Sequence, residues 1–253
     1  MGGTGAPAGH GGADGLAGRL VVVGGGAGAL GRAVVERLLA DGARVVVPTI
    51  EPEGESPLAT IAAHPGLEIV PSVDLAREDD VARVYDGRDD LWASIQVAGG
   101  FEMAPITETG LDAWRRMWEI NATSCFLCCR EAVRAMLRGP RDASGEGRGR
   151  LVNVAAQTAL DPRRGAGMVA YTAAKSAVAA LSVALGEELA AEGIWVNAVA
   201  PSIIDTPANR AAMPDADHDR WPAPEQIATV VAFLVSPANR VARSGVIPVY
   251  GRG

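Results

Sequence analysis

The sequence predicts a single-domain α/β fold, in which a seven-stranded parallel sheet carries helices on both faces. Short runs rich in Val, Leu and Ile alternate with longer helical segments from residue 20 onwards. These runs are predominantly apolar, as expected for parallel strands that are buried on both faces. A glycine-rich turn at residues 24–31 joins the first run to the first helical segment, which is typical of doubly wound sheets. A length of 253 residues suits one domain of this kind.

The elements follow in order from apolar runs, helical periodicity and turn residues. Residues 20–23 form the first strand. Residues 29–40 form the first helix, because apolar side chains recur at 30, 34, 35, 38 and 39 before Asp41 and Gly42 end it. Each later strand is a four- to six-residue apolar run, and each later helix is a longer segment with apolar residues three and four apart. These predicted elements are strands at 43–47, 68–73, 94–97, 151–154, 195–199 and 246–249, a short helix after the loop at 48–57, and helices within 111–137, 171–191 and 225–235.

The two ends of the chain differ in composition. Residues 1–18 are rich in glycine and alanine and are predicted to be a flexible N-terminal tail, followed by the folded domain at 19–253. The tail has no basic segment followed by an apolar core, so it does not resemble a secretory signal. No unbroken apolar run reaches the roughly 18 residues that a membrane span needs. The expected location is therefore cytoplasmic, with no membrane partner.

Charge and cysteine content narrow the class of function. The formal net charge is −7 and no basic stripe is present, which argues against a nucleic-acid partner and favours a small-molecule substrate. The three cysteines fall together in C-F-L-C-C, at Cys125, Cys128 and Cys129, with no histidine nearby. We expect them to be small buried side chains on a packed helix and predict no metal site.

The one lysine of the chain, Lys175, lies four residues after Tyr171 in Y-T-A-A-K, whereas the other 22 basic residues are arginines. Residues four apart share a face of a helix, so Lys175 should lie beside Tyr171. Its charge would favour the phenolate and lower the pKa of Tyr171, as a tyrosine acting as general acid or base requires. The pair is therefore a candidate catalytic centre.

Several further motifs occur in a fixed order along the chain. They are the glycine turn, Asp74-Leu75, Ala98-Gly99, N-A-T-S-C-F beginning at Asn121, the Tyr171/Lys175 pair, N-A-V-A-P ending at Pro201, and D-T-P beginning at Asp205. Taken together, they resemble the short-chain dehydrogenase/reductase family over residues 19–251. The resemblance implies a Rossmann fold, a nicotinamide cofactor, NAD(H) or NADP(H), and hydride transfer to or from a carbonyl, alcohol or activated C=N or quinonoid substrate.

The resemblance also implies roles for individual residues. Tyr171 would be the proton donor or acceptor, Lys175 would bind the nicotinamide ribose, and Asn121 would support a water-mediated proton relay. Asp74 would contact the adenine and Thr206 the nicotinamide amide. The full set of implied cofactor-binding residues is Gly25, Gly28, Ala29, Leu30, Gly31, Thr49, Asp74, Leu75, Ala98, Gly99, Lys175, Pro201, Ile204 and Thr206.

The chain departs from the family pattern at several positions. Gly24 replaces the usual threonine of the turn, Ala29 the middle glycine, and Ala156 the serine that follows the fifth strand. These features, together with V-A-G-G at 97–100 and the segment after Asp205, resemble the dihydropteridine reductase branch, although Asn121 does not fit that branch. Thr158 could supply the missing hydroxyl, and Gln157 could donate through its amide; otherwise the substrate is already activated.

The choice between NAD(H) and NADP(H) depends on the residues at the end of the second strand. Thr49 stands where NAD-binding relatives place an aspartate, and no adjacent basic residue would pair with a 2′-phosphate. Glu51, Glu53 and Glu55 would repel that phosphate, which favours NAD(H) slightly. Residues 202–222 are expected to cover the substrate.

Two functions therefore stand open: a nicotinamide-dependent oxidoreductase, and a non-redox isomerase, cyclase or binding protein on the same scaffold. Binding of NADH or NADPH discriminates between them. Apolar residues within 111–137 exceed what one sheet face needs, and by resemblance these helices pair across a twofold axis. The expected assembly is a dimer or a homotetramer.

Overall fold

The computed structural model describes residues 15–142 and 147–252. Seven parallel strands form one sheet in the order β3-β2-β1-β4-β5-β6-β7, which confirms the predicted fold. The strands are β1 (Leu20–Gly24), β2 (Arg44–Pro48), β3 (Leu67–Val70), β4 (Leu91–Gln96), β5 (Gly149–Val154), β6 (Ile194–Pro201) and β7 (Val246–Val249). Because the chain leaves β1 and β4 in opposite directions, a crevice opens between their carboxyl ends, where ligands of such sheets bind.

Eight α-helices connect the strands within the described ranges. They are α1 (Ala29–Ala40), α2 (Glu78–Tyr85), α3 (Leu111–Met117), α4 (Ser124–Arg138), α5 (Gln157–Leu160), α6 (Val169–Glu188), α7 (Pro207–Ala212) and α8 (Pro224–Val235). A π-helical segment, Trp118–Thr123, joins α3 to α4. Helices α1 and α8 pack together, and α4 and α6 pack against β4 and β6.

The core consists of two layers, one on each side of the sheet. Val21 and Val23 of β1 belong to the layer that contains Leu38 of α1 and Ile227 of α8. Val22 belongs to the opposite layer, which holds the three cysteines of α4. Successive strand residues face opposite sides, so a strand covered on both sides is predominantly apolar, and its buried polar residues need partners, as Ser94 and Gln96 of β4 have in each other.

Some boundaries differ from the sequence-based predictions. Residues 57–63 form hydrogen-bonded turns in place of the predicted short helix. Strand β3 ends at Val70 instead of residue 73, and β4 begins at Leu91, three residues before the predicted start. Helices α2, α5 and α7 were not predicted.

The predicted tail at residues 1–18 falls mostly outside the described residues, as do residues 143–146. Leu16 is 4% exposed and packs in the core, and the amide of Gly18 donates to the carbonyl of Gly42. Burial of Leu16 therefore stabilises the last residues of this segment against the folded domain.

Helix α6 is, among the helices that the structure describes, the one with the length and apolarity of a membrane span. It packs against β6 and β5. A helix that covers a parallel sheet is apolar for that reason.

Candidate active site

The glycine turn after β1 brings two backbone segments into close contact. Gly25 has φ +80°, and a Cβ there would lie 2.4 Å from the backbone nitrogen of Ala98. A Cβ on Gly31 would lie 2.0 Å from the carbonyl oxygen of Gly25. Both positions therefore require glycine, and the turn can present its backbone amides at the N-terminus of α1, as a pyrophosphate site requires. Ala29 is the exposed first residue of α1, where a methyl group fits.

The structure accounts for Gly24 in place of threonine. A Cβ on Gly24 would lie 2.6 Å from Oε1 of Gln96. The amide nitrogen of Gln96 donates to Oγ of Ser94, and that hydroxyl lies 2.7 Å from the hydroxyl of Tyr85. The buried glutamine side chain thus occupies the space beside residue 24.

A groove of about 500 Å³ opens at the carboxyl ends of β1, β2 and β4. Ten of the residues implied by the family resemblance line it: Gly25, Gly28, Ala29, Leu30, Gly31, Thr49, Asp74, Leu75, Ala98 and Gly99. Nine others also line it: Ala27, Pro48, Ile50, Glu51, Val73, Ala76, Val97, Ile120 and Ser124. Two members of this second group lie next to residues that the sequence had already singled out. Glu51 belongs to the glutamate run after Thr49, and Ile120 precedes Asn121.

The end of the groove at β2 carries carboxylates. Glu51 and Asp74 both line it. One oxygen of Asp74 accepts from the backbone amide of Ala76, which fixes the turn after β3. The hydroxyl of Thr49 is buried with no hydrogen-bond partner among the described residues. An orphaned hydroxyl at a groove edge can accept or donate a hydrogen bond to a ligand.

Lys175 and Asn121 meet beside Gly99. A Cβ on Gly99 would lie 3.1 Å from Nζ of Lys175 and 2.5 Å from Oδ1 of Asn121. Lys175 is 5% exposed, and its Nζ donates to the carbonyl of Val154 at 2.8 Å. Asn121 lies in the π-helical segment, a form of helix that is frequent at functional sites. The structure therefore places two of the predicted catalytic residues next to the end of the groove.

Tyr171 lies one turn before Lys175 on α6. The sequence-based expectation that Lys175 lowers the pKa of Tyr171 is wrong for this arrangement, because burial raises the pKa of Tyr171 to about 12. Burial likewise lowers the pKa of Lys175 to about 8. The neighbouring Cys125 partly opposes this lowering of the Lys175 pKa. A hydrogen bond with Cys129 and burial both raise the pKa of the Cys125 thiol itself. All three cysteines are buried, as expected.

The region of the missing serine is tightly packed. Ala156 is 5% exposed and precedes the short helix α5. The hydroxyl of Thr158, on α5, is buried without a partner among the described residues. Oε1 of Gln157 accepts from Arg164 at 3.1 Å, which leaves the amide protons of Gln157 as donors.

The segment at 202–222 follows β6. Thr206 caps α7 by accepting from the amide of Asn209, and Ile204 packs against the core. Pro201 is the last residue of β6. None of these three lines the groove described above. Nε2 of His218 lies 2.8 Å from the carbonyl of Met213, so His218 has a local structural partner.

Comparisons with known proteins agree with this geometry. A family profile described as short chain dehydrogenase matches residues 19–217. The chain is 34% identical over 254 residues to cis-4-hydroxycyclohexanecarboxylate dehydrogenase of Sinomonas cyclohexanicum, covering 94% of this chain and 97% of that protein. It is 32% identical over 251 residues to galactitol 2-dehydrogenase of Rhizobium johnstonii, covering 92% and 94%. A solved short-chain type dehydrogenase/reductase from Mycobacterium ulcerans superposes with a TM-score of 0.81 at 28% identity, covering 94% and 90%.

Proposed function

Because the chain belongs to the short-chain dehydrogenase family, we propose that it is an NAD(P)(H)-dependent oxidoreductase in which Tyr171 exchanges the proton with the substrate oxygen. The family connection supports dehydrogenase activity on alcohol or carbonyl substrates. The observation that carries the proposal is the convergence of Lys175 and Asn121 on Gly99, at the end of a groove with a glycine turn. A binding protein would not need a buried lysine one helical turn from a tyrosine.

The groove fits a nicotinamide dinucleotide. Close backbone contacts at Gly25 and Gly31 leave the amides at the start of α1 open to a pyrophosphate. Asp74 and Leu75 would hold the adenine, and Ala98 and Gly99 would line the path towards Lys175. When bound, the nicotinamide supplies or accepts a hydride.

The residues around the reacting carbon would each have a separate role in proton transfer, cofactor binding or positioning. Tyr171 holds a proton on its hydroxyl oxygen at neutral pH, since burial raises its pKa, and can donate it to a carbonyl oxygen. Lys175 is anchored by Val154 and keeps two further N–H groups for the ribose and the relay. The side chain of Asn121 fixes the backbone at Gly100. Thr158 or Gln157 would polarise the substrate oxygen if the substrate needs it.

We further propose a preference for NAD(H). Two carboxylates, Glu51 and Asp74, line the groove, and no arginine or lysine is among the described residues that line it. A 2′-phosphate near Glu51 would meet like charge without a cation to offset it. Titration with NADH and NADPH measures this preference directly, and tighter binding of NADPH would contradict it.

We also propose an oligomeric state for the chain and a branch of the family to which it belongs. Leu111, Phe126 and Leu137, on α3 and α4, are 59%, 46% and 42% exposed, which supports pairing of these helices in a dimer or homotetramer. Ala156, in place of the family's serine, supports the dihydropteridine-reductase-like branch. A pre-activated substrate is the alternative to a carbonyl that Thr158 or Gln157 polarises. We also propose a cytoplasmic location.

The alternative is a non-redox protein on the same scaffold. The test combines NADH binding, followed by fluorescence, with NADH oxidation by wild type and Tyr171→Phe, in which a ketone accepts the hydride at carbon and the proton at oxygen and is reduced to the alcohol. We expect Tyr171→Phe to bind NADH within about twofold of wild type and to lose 10²–10⁴-fold in turnover, roughly the contribution of a positioned general acid. Wild type that fails to bind either dinucleotide, or Tyr171→Phe with undiminished turnover, refutes the proposed function.

A further inference from the structure

The ring of Phe101 lies directly against the ring of Tyr171. The two ring centroids are 5.1 Å apart and the rings are nearly perpendicular, at 82°. Phe101 is nevertheless 59% exposed, so most of its surface faces away from the protein. An aromatic ring that is both packed on the proposed proton donor and open to solvent is in a position to touch whatever binds there.

Hydrogen bonds hold the segment of Phe101 at both ends. Asn121 donates to the carbonyl of Gly100 at 3.1 Å and accepts from the amide of Gly100 at 3.3 Å. The amide of Ala104 donates to the carbonyl of Gly167 at 2.8 Å, just before α6. Phe101 therefore lies between two anchored points, so its backbone position is defined relative to Tyr171.

The exposed surface of the segment that carries Phe101 is carbon-rich. Met103 is 62% exposed and its methyl group lies against Gly167. Glu102, the charged residue of this segment, is paired with Arg116. A substrate that approaches from this side meets a ring and a thioether, and its hydroxyl groups would lose water without gaining partners.

We propose that Phe101 determines substrate specificity, by packing its exposed ring against a cyclic, apolar carbonyl substrate whose oxygen faces Tyr171. This inference rests on the proposed function of the same site. A flat or cyclic carbon skeleton matches an aromatic wall through offset or edge-to-face packing. An open-chain, polyhydroxylated ketone has no such surface to offer.

The test compares two ketones, cyclohexanone and 1,3-dihydroxyacetone, in wild type, Phe101→Ala and Phe101→Leu. The control is Phe233→Ala, since Phe233 is 51% exposed on α8 and has no part in the site. We expect Phe101→Ala to lower kcat/KM for cyclohexanone by about tenfold or more, with a change of less than about twofold for dihydroxyacetone. Phe101→Leu should retain part of the preference, and Phe233→Ala should retain all of it.

Two further readouts separate substrate packing from general damage. Calorimetric titration of cyclohexanone into the NADH complex of Tyr171→Phe should show binding at least about tenfold tighter than in Tyr171→Phe/Phe101→Ala. Phe101→Ala should also admit water to Tyr171 and lower its pKa, so the alkaline fall of ketone reduction moves to lower pH.

Equal losses for both ketones in Phe101→Ala, or no saturable binding of cyclohexanone to a chain that binds NADH, overturn the role of Phe101. A higher kcat/KM of the wild type for dihydroxyacetone than for cyclohexanone would also overturn the role of Phe101. Loss of NADH binding in the wild type refutes the proposed function instead, so the two failures are distinct.

Discussion

The side-chain oxygen of Gln96 fills the space beside the Cα atom of Gly24. A Cβ at residue 24 would lie 2.6 Å from Oε1 of Gln96, a distance that forces one of the two to move. Gln96 cannot move freely, because its amide is hydrogen-bonded inside a buried group with Ser94 and Tyr85. The glutamine side chain of β4 therefore requires a glycine at residue 24 of the turn.

Introducing the threonine that the family uses should consequently destabilise this chain. We expect Gly24→Thr to lower the free energy of unfolding by about 1–3 kcal/mol, the usual cost of overpacking. The double variant Gly24→Thr/Gln96→Asn, with a shorter amide, should recover a large part of that loss in urea unfolding. Additive effects of the two substitutions would show that the side chains do not compete for the same space.

A methyl group on Gly99 should disturb the catalytic residues without touching the substrate. In Gly99→Ala the new Cβ would lie 2.5 Å from Oδ1 of Asn121 and 3.1 Å from Nζ of Lys175. We expect kcat to fall by about 10²-fold, since misplacement by about 1 Å has this effect. Gly110→Ala is the matched control, because a Cβ there meets nothing within 4 Å. Steady-state kinetics of both variants measure the difference, and equal kcat values would contradict it.

The titration of Lys175 should appear in the pH dependence of stability. Burial lowers its pKa to about 8 in the folded chain, from the ordinary value of 10.5. Below the lower value both states hold the proton, and the penalty for burying the charge is complete. Between the two values the unfolded state binds more protons, so stability rises with pH. We expect wild type to gain up to about 1 kcal/mol per pH unit relative to Lys175→Met over this range, measured by urea unfolding. A constant difference would show that Lys175 titrates normally.

The missing serine defines a prediction about substrate activation. Loss of one oxyanion donor typically costs about 10²–10³ in rate. If the substrate is a plain ketone, Ala156→Ser should raise kcat by a measurable part of that factor. If the missing serine alone limits the rate, Thr158→Ala should be nearly silent, although the hydroxyl of Thr158 is buried with no hydrogen-bond partner among the described residues. If Thr158→Ala instead loses as much rate as Tyr171→Phe, Thr158 is the polarising donor.

The exposed apolar residues of α3 and α4 define a prediction about assembly. Light scattering at micromolar concentration should give the mass of a dimer or tetramer. Phe126→Glu, at a residue 46% exposed, should shift the chain towards the monomer because it places charge on the pairing face. A monomeric wild type would refute the proposed pairing.

Local signals made much of the fold predictable from sequence. The limits of α1, Ala29 and Ala40, follow from its apolar spacing and its flanking glycines, and the structure has the same limits. Helix α2 carries helical signals, three acids in its first turn and buried Val81, Val84 and Tyr85 three and four residues apart, but its eight residues are too few for the pattern to repeat, so it was missed. Strand β3 was predicted to run to residue 73 because the apolar run continues, but Pro71 has no N–H to donate and Ser72 has φ 54°, which ends the extended chain at Val70.

The site was predictable where it depends on backbone form and much less where it depends on packing. The glycine turn follows from the residue type alone. The contribution of Ile120 and Ser124 to the groove requires the π-helical segment to lie against the backbone at Gly99 and Gly100, which no local pattern encodes. The raised pKa of Tyr171 follows from how much protein surrounds it, and a spacing of four residues from Lys175 contains no information on that burial.

The π-helical segment, Trp118–Thr123, sets the direction in which Asn121 points around the helix axis. A π-helix bonds residue i to i+5, so it accommodates one residue more than an α-helix of the same hydrogen-bonded span. The extra residue rotates everything beyond it by about 100° relative to a regular α-helix. The buried cysteines of α4 and the clamp of Asn121 on Gly100 can thus face the sheet and the site at the same time. A one-residue deletion in this segment would keep every catalytic side chain and still separate them, because the active site depends on the length of this helix as well as on its residues.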